Sequence, residues 1–205
     1  MTAHTPKYRR YEAPERREML VEAGLACLAD GGVSGFTIDR ICEAAGGASR
    51  GLITHHFGSK QQLLRACYAT AYDRMLGAAA PGGSAQTSLT EMIEALLSDD
   101  YTSQGTLRAW LAMWGEVAND PDLMLEHRRY YDHYLQRVVQ AIREASDGRT
   151  LAISEDALAT LFISMVDGLW LERCLDPERL SRADVRQACY DLLEAFLGPI
   201  RPQND

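Results

Sequence analysis

The chain has no long apolar run. Its longest candidate, residues 161–171, is interrupted by Asp167 and falls short of the roughly 18 residues that cross a bilayer. Residues 1–22 contain no apolar core of the length a signal peptide needs. Both absences set the expectation of a cytoplasmic protein with no membrane partner. Cysteine is scarce and unpatterned: Cys27, Cys42, Cys67, Cys174 and Cys189 are odd in number and form no CxxC pair. They read as small buried hydrophobes in a reducing compartment rather than as a redox or metal site. HExxH, P-loop and Rossmann fingerprints are missing too, so no metal and no cofactor are expected. His55 and His56 are neighbours on a helical stretch and should point apart, which argues against a shared metal ion.

One string imitates an enzyme. Gly47-Ala48-Ser49-Arg50-Gly51 fits the G-x-S-x-G nucleophile elbow, which works only on a sharp strand-to-helix turn above a parallel sheet. No stretch shows the sustained alternation of a strand, and no internal repeat is present. The match is therefore read as coincidence and the protein as a non-enzyme.

What is present is helical periodicity from end to end. Leu20, Ala23, Gly24, Cys27 and Leu28 share one helix face, with Pro14 suited to the first turn and Asp30-Gly31-Gly32 to the stop. Thr37 can cap a short helix over 37–45, with Ile38, Ile41, Ala44 and Ala45 facing inward. Ser49 can cap another to Phe57, and Ser59 through Gln62 fits a capping box before a helix to about residue 80. Pro81-Gly82-Gly83-Ser84 is a break. Further helices are expected over 88–100, 106–119, 121–145 and 154–175, with a last one from 181. The fold class is all-α: an N-terminal three-helix head, residues 1–58, and a larger helical body, residues 59–205.

The net charge of −8 at first argues against a nucleic-acid partner. Its distribution does not. Residues 1–60 carry eight Lys/Arg against seven Asp/Glu, whereas residues 61–205 carry thirteen against twenty-two. Two short helices joined by a glycine turn, 37–45 and 49–57, have the proportions of a helix-turn-helix, whose second helix enters the major groove by its N-terminal side chains. Ser49 and Arg50 stand at that end, where backbone N–H groups favour phosphate and Arg50 can pair with a guanine edge. Gly51 suggests close approach, Thr54 and His55 extend the exposed face, and Lys60 can reach backbone phosphate.

Residues 15–64 resemble the DNA-binding region of the TetR family of bacterial regulators. The resemblance is carried by Gly35-Phe36-Thr37-Ile38-Asp39-Arg40-Ile41-Cys42-Glu43-Ala44-Ala45-Gly46 and by Ser49-Arg50-Gly51-Leu52-Ile53-Thr54-His55-His56-Phe57-Gly58-Ser59-Lys60. It implies a double-stranded DNA operator as partner, with Thr37, Ser49, Arg50, Gly51, Thr54, His55, His56 and Lys60 as the contact set. Gly46-Gly47-Ala48 makes the turn one residue longer than the family's usual run.

Aromatic residues concentrate in the body. Trp110 and Trp114 lie one turn apart with Met113 beside them, and Tyr130 and Tyr134 repeat that spacing next to Tyr131 and His127. Such stripes are usually core; as an alternative they line a pocket with Glu116 or Asp167 as polar anchor, able to hold an organic cation. Residues 109–114 and 167–171 are similar to the choline-responsive, BetI-like branch of the TetR family. That implies a small-molecule effector held by Trp110, Met113, Trp114, Glu116, Tyr130, Tyr134, Asp167 and Trp170. The last two helices are apolar around much of their circumference, and the resemblance implies a homodimer joined through them, with Phe162, Met165, Val166, Leu169, Leu192 and Phe196 at the interface.

Overall fold

The computed structural model describes residues 13–78 and 89–201. The basic residues Lys7, Arg9 and Arg10, the expected break at 81–84 and Ser88 lie outside these. The described residues form ten helices and no strand: α1 (Ala13–Gly35), α2 (Ile38–Ala44), α3 (Arg50–Phe57), α4 (Lys60–Ala78), α5 (Leu89–Leu96), α6 (Asp99–Thr102), α7 (Gln104–Val117), α8 (Pro121–Ser146), α9 (Glu155–Leu175) and α10 (Arg182–Leu197).

The capping chemistry acts as read in most places. Thr37, Ser154 and Ser181 accept from the backbone N–H three residues on, and Asp120 caps α8 with Pro121 in the first turn. The expected stop at Asp30-Gly31-Gly32 is a break rather than an end. Gly32 takes φ 57°, and a further turn of helix follows to Gly35. The helix expected over 88–100 divides, because Ser98 is extended and starts the short α6. Ala44, expected to face inward, is exposed; Ile41 and Cys42 fill that side of α2.

Helix α1 makes the most extensive pairing, lying along α7, and also packs on α2 and α4. Small residues set these approaches. A Cβ on Gly24 would stand 2.7 Å from the Cys67 sulfur and 3.1 Å from the Phe36 ring, so α1 meets α4 closely only because position 24 has no side chain. On α7, a Cβ on Gly105 would touch Ala29 of α1 at 3.3 Å. Four of the five cysteines, Cys27, Cys42, Cys67 and Cys189, are buried, and Cys174 is half-buried. Burial pushes the Cys67 and Cys189 thiols up to about 12, so both behave as the small hydrophobes their positions suggested.

Helix α4 serves two ends of the molecule. Leu63, Leu64 and Cys67 pack with the head, while Tyr68, Tyr72, Met75 and Leu76 are buried further along. Gly24→Ala is expected to destabilise the protein by about 1–3 kcal/mol through overpacking against Cys67. The double change with Cys67→Ala should recover part of that loss. Urea unfolding of the four proteins in a double-mutant cycle measures it, and strict additivity would contradict the contact.

Candidate functional site

In the head, the long turn is solved by two consecutive left-handed residues, Gly46 (φ 71°) and Gly47 (φ 84°). The Cys42 carbonyl accepts from both the Gly47 and Ala48 amides at 3.0 Å, which ties the extra residue back onto α2. Ile53 and Phe57 anchor α3 in the core, with Leu52 half-buried beside them. Ser49, Arg50, Gly51, Thr54 and His55 are exposed on one face. Ser49 makes no side-chain cap bond and its hydroxyl bonds to no described residue, whereas the Thr37 hydroxyl accepts from the Arg40 amide at 3.4 Å.

Arg50 is held by α2. Its guanidinium reaches both carboxylate oxygens of Asp39, at 2.6 and 2.7 Å, with both side chains mostly exposed. An exposed pair of this kind is worth about 0–1 kcal/mol, enough to aim the arginine and too little to keep it from a stronger acceptor. Lys60 donates to the Phe36 carbonyl at 3.3 Å. The rings of His55 and His56 do not point fully apart as expected: they meet edge to face with centroids 5.0 Å apart. Partial burial, then His55, Arg16 and Arg17, push the His56 imidazole below its usual range. No group of three or more His, Cys, Asp or Glu able to hold a metal ion occurs among the described residues.

In the body, four helices converge on an aromatic box. Helix α4 supplies Tyr72 and Met75, α7 Trp110 and Trp114, α8 Tyr131 and Tyr134, and α9 Ile163, Val166, Asp167 and Trp170. The rings are tightly set: Tyr72 stands perpendicular to Trp110 at 4.9 Å and stacks on Tyr130 at 5.0 Å. The space open to the centre of a water-sized sphere is about 10 Å³, roughly room for one water.

Two polar groups in this box have no partner. The buried indole N–H of Trp170 makes no hydrogen bond, and Asp167, one turn earlier on α9, forms no hydrogen bond or ion pair with any described residue. Burial among rings raises the Asp167 carboxyl to about 6. Burial also raises the phenols of Tyr68, Tyr72, Tyr131 and Tyr134, Tyr72 to about 12, so they stay neutral and Asp167 is the anion of the box.

Of the expected effector residues, the structure brings Trp110, Trp114, Tyr134, Asp167 and Trp170 together, with Tyr130 backing Tyr72. Two do not belong. Met113 is buried on a different side of α7, facing α1, because it is one residue off the Trp110–Trp114 stripe. Glu116 is partly exposed and does not line the box. Tyr72 was missed, although Tyr68 and Tyr72 repeat the one-turn spacing that singled out the other aromatics. Two expected interface residues also fall elsewhere: Phe162 is fully buried within the chain's own core and Val166 lines the box. The exposed face of α9 instead presents Leu161, Ser164, Gly168, Leu171 and Leu175, with Met165 and Leu169 half-buried at its margins. On α10, Leu192 and Phe196 are half-buried.

A ladder joins the box to the head along α4 and α8. Gln61 and Arg65 of α4 donate to Asp120 at 3.1 and 3.0 Å, and Arg65 also reaches Asp122 at 3.0 Å. The Arg65 and Asp120 side chains are only 16% and 13% exposed, and Arg65 holds the Asp120 carboxyl down to about 2. Further along, the fully buried Tyr68 meets Nδ1 of His127 at 2.6 Å. Burial lowers the His127 pKa, and a neutral ring with its proton on Nε2 accepts there from the phenol.

This arrangement, an exposed helix-turn-helix edge on a compact head joined to an aromatic-lined helical body, is that of a transcriptional regulator. Residues 20–67 match the model of bacterial regulatory proteins of the tetR family. Residues 85–198 match that of the BetI-type transcriptional repressor C-terminal region. The chain is 31% identical over 199 residues to the HTH-type transcriptional regulator BetI 1 of Chromohalobacter salexigens, covering 90% of this chain and 92% of that protein. Among solved structures, a transcriptional regulator from Pseudomonas aeruginosa PAO1 aligns with a TM-score of 0.73 and 30% identity, covering 91% and 92% of the two chains. A regulator from Saccharomonospora viridis, solved in complex with choline, shares the fold at TM-score 0.74 and 24% identity over 88% and 96%. The chain belongs to the TetR family of transcriptional regulators, in its BetI-type branch, and is not an enzyme.

The Asp167 shift has a sign that can be checked. Its folded pKa lies above the ordinary 3.8, so the native state disfavours the carboxylate, and stability contributed by the protonated form is lost as pH rises from about 4 through about 6. Asp167→Asn is therefore expected to be more stable than the parent at pH 8 by about 1–3 kcal/mol, with the gap closing below pH 4. Chemical denaturation across pH reads this directly; a gap independent of pH would contradict it.

Proposed function

We propose that this regulator is a homodimeric repressor whose head, residues 1–58, binds a two-fold DNA operator in the cytoplasm. Its body, residues 59–205, releases that operator on taking up a small organic cation of the choline type. The observation that carries the ligand class is Asp167, a single unpaired carboxylate walled by tryptophan and tyrosine rings. Ring faces attract a quaternary ammonium by up to about 2 kcal/mol each where water is excluded, and the carboxylate supplies the countercharge. The unpartnered Trp170 N–H is a donor for an alcohol oxygen on the same molecule. The choline complex of the Saccharomonospora viridis regulator agrees with this reading.

On the head, Arg50 aimed by Asp39, the uncommitted Ser49 hydroxyl, Gly51, Thr54 and His55 form the base-reading edge, and His56, Thr37 and Lys60 flank it. Pairing runs through α9 and α10. Leu161, Ser164, Gly168, Leu171 and Leu175 recur at alternating intervals of three and four, a heptad-like stripe whose small central residues let a second helix approach. Met165, Leu169, Leu192 and Phe196 border it. A two-fold dimer then sets its reading helices roughly 34–36 Å apart, one turn of DNA. Box occupancy shifts α8 against α4 through the ladder and changes that spacing; a coupling of about 1–3 kcal/mol alters operator affinity roughly 5- to 150-fold.

Gel shifts on the operator test the DNA reading. Arg50→Ala is expected to weaken binding by about 1–3 kcal/mol and to relax sequence preference. Leu171→Glu, far from DNA, should give monomers by sedimentation and lose high-affinity binding. Arg50→Ala with unchanged affinity would overturn the contact assignment. For the effector, calorimetry with choline should show affinity flat above about pH 7 and falling toward tenfold per unit below about 6, as Asp167 takes up a proton. Asp167→Asn should weaken choline by roughly 30-fold or more. Choline affinity insensitive to both would remove the cation assignment.

A further inference from the structure

A second cavity lies on the other side of Trp110. It is a cleft of about 650 Å³ between α1 of the head and α4 and α7 of the body, within the size range of small-molecule sites. We infer that this cleft is a separate ligand site, for a lipophilic organic cation larger than the box can hold. The inference is independent of the choline reading.

The cleft exists because its walls are methyl groups. Ala26 and Ala29 on α1 face Ala71 on α4 and Ala109 on α7, where longer side chains would fill the space. Contact between Gly105 and Ala29 fixes the two long helices at one end, so the gap beside it is braced open by packing. Trp110 and Met113 form the deep wall, and Trp110 is shared with the aromatic box. Apolar walls with one indole favour a hydrophobic, ring-bearing guest.

Charge decides its sign. The Arg74 guanidinium is taken up by both oxygens of Glu22 across the cleft, and Tyr101 donates to the Arg74 carbonyl at 2.8 Å. Asp100, also lining the cleft, is exposed and forms no ion pair with any described residue. An anion would face Glu22 and Asp100, and Arg74, the one cation among the described lining residues, is already paired, whereas a cation finds carboxylate at the rim and ring and thioether at the floor. A guest lodged there touches α1 and α7 together, and so acts on the junction of head and body from the face of Trp110 opposite the box.

Tetraphenylphosphonium is a suitable probe, being several times the size of choline, for which the rings of the box must already part. Calorimetric titration of the full chain should show saturable binding that choline does not displace and that Asp167→Asn leaves within about twofold. Ala26→Phe, at an exposed position that tolerates bulk, should weaken it about tenfold or more by filling the cleft. Asp100→Asn should weaken it roughly two- to fivefold, the size of an exposed charge interaction. Thermal melting establishes that both variants are folded, and Asp100→Asn carries the test if Ala26→Phe is not. Triphenylphosphine oxide, of similar size but neutral, should bind more weakly. Absence of saturable binding, displacement by choline, loss in Asp167→Asn, full binding by folded Ala26→Phe or equal binding of the neutral probe would each overturn the proposal.

Discussion

Everything in this molecule is constrained by α4 having to satisfy two surroundings at once. Its first half completes the head core through Leu63, Leu64 and Cys67, and its second half enters the body through Tyr68, Tyr72 and Met75. A helix is a rigid element, so a displacement of one half is felt by the other. The polar rungs to α8 make the constraint directional. Tyr68 has no exposure at all, and a buried phenol without a partner costs about 1–3 kcal/mol, so its contact with His127 must persist or be replaced whenever the two helices shift. The Arg65–Asp120 pair does the same nearer the head, with the added condition that Asp120 is also the N-cap of α8. These are discrete contacts rather than a smooth surface, which is what a two-state element requires.

The head and the box use charge in opposite ways. On the head, Arg50 and Asp39 are paired in the open, where water screens them and exchange with another acceptor is cheap. In the box, Asp167 has no partner among the described residues, and burial among rings disfavours its charged form. An unsatisfied group suits the proposed binding role, because a group already satisfied by the protein has little left for a ligand.

Much of this was readable in the chain. Helix type, most caps and the head followed from local chemistry: Thr37, Asp120-Pro121 and Ser181 act within four residues of themselves and need no tertiary context. The box was half legible. Spacing identifies which aromatics share a helix face, so Trp110, Trp114 and Tyr134 were found, but it does not identify what lies opposite, and Tyr72 and Ile163 enter only through the packing of other helices. The interface proposed on α9 shows the same limit from another side. A helix apolar all round gives no hydrophobic direction, so Phe162 and Val166 could not be told from Leu161 and Leu171 until the chain's own core had claimed one face. Gly46 and Gly47 marked a turn in the sequence, yet their consecutive left-handed geometry and the doubly used Cys42 carbonyl are tertiary facts.

The near-complete closure of the aromatic box has a bearing on timing. A chamber with space for about one water does not admit a molecule by diffusion alone; several rings from different helices must part first. Arrival is then governed by how often the walls breathe, and departure by the same gate. A sensor of the proposed kind, built in this way, filters brief fluctuations in its surroundings and responds to what persists, so the tightness of the ring packing would set the memory of the switch as well as its selectivity.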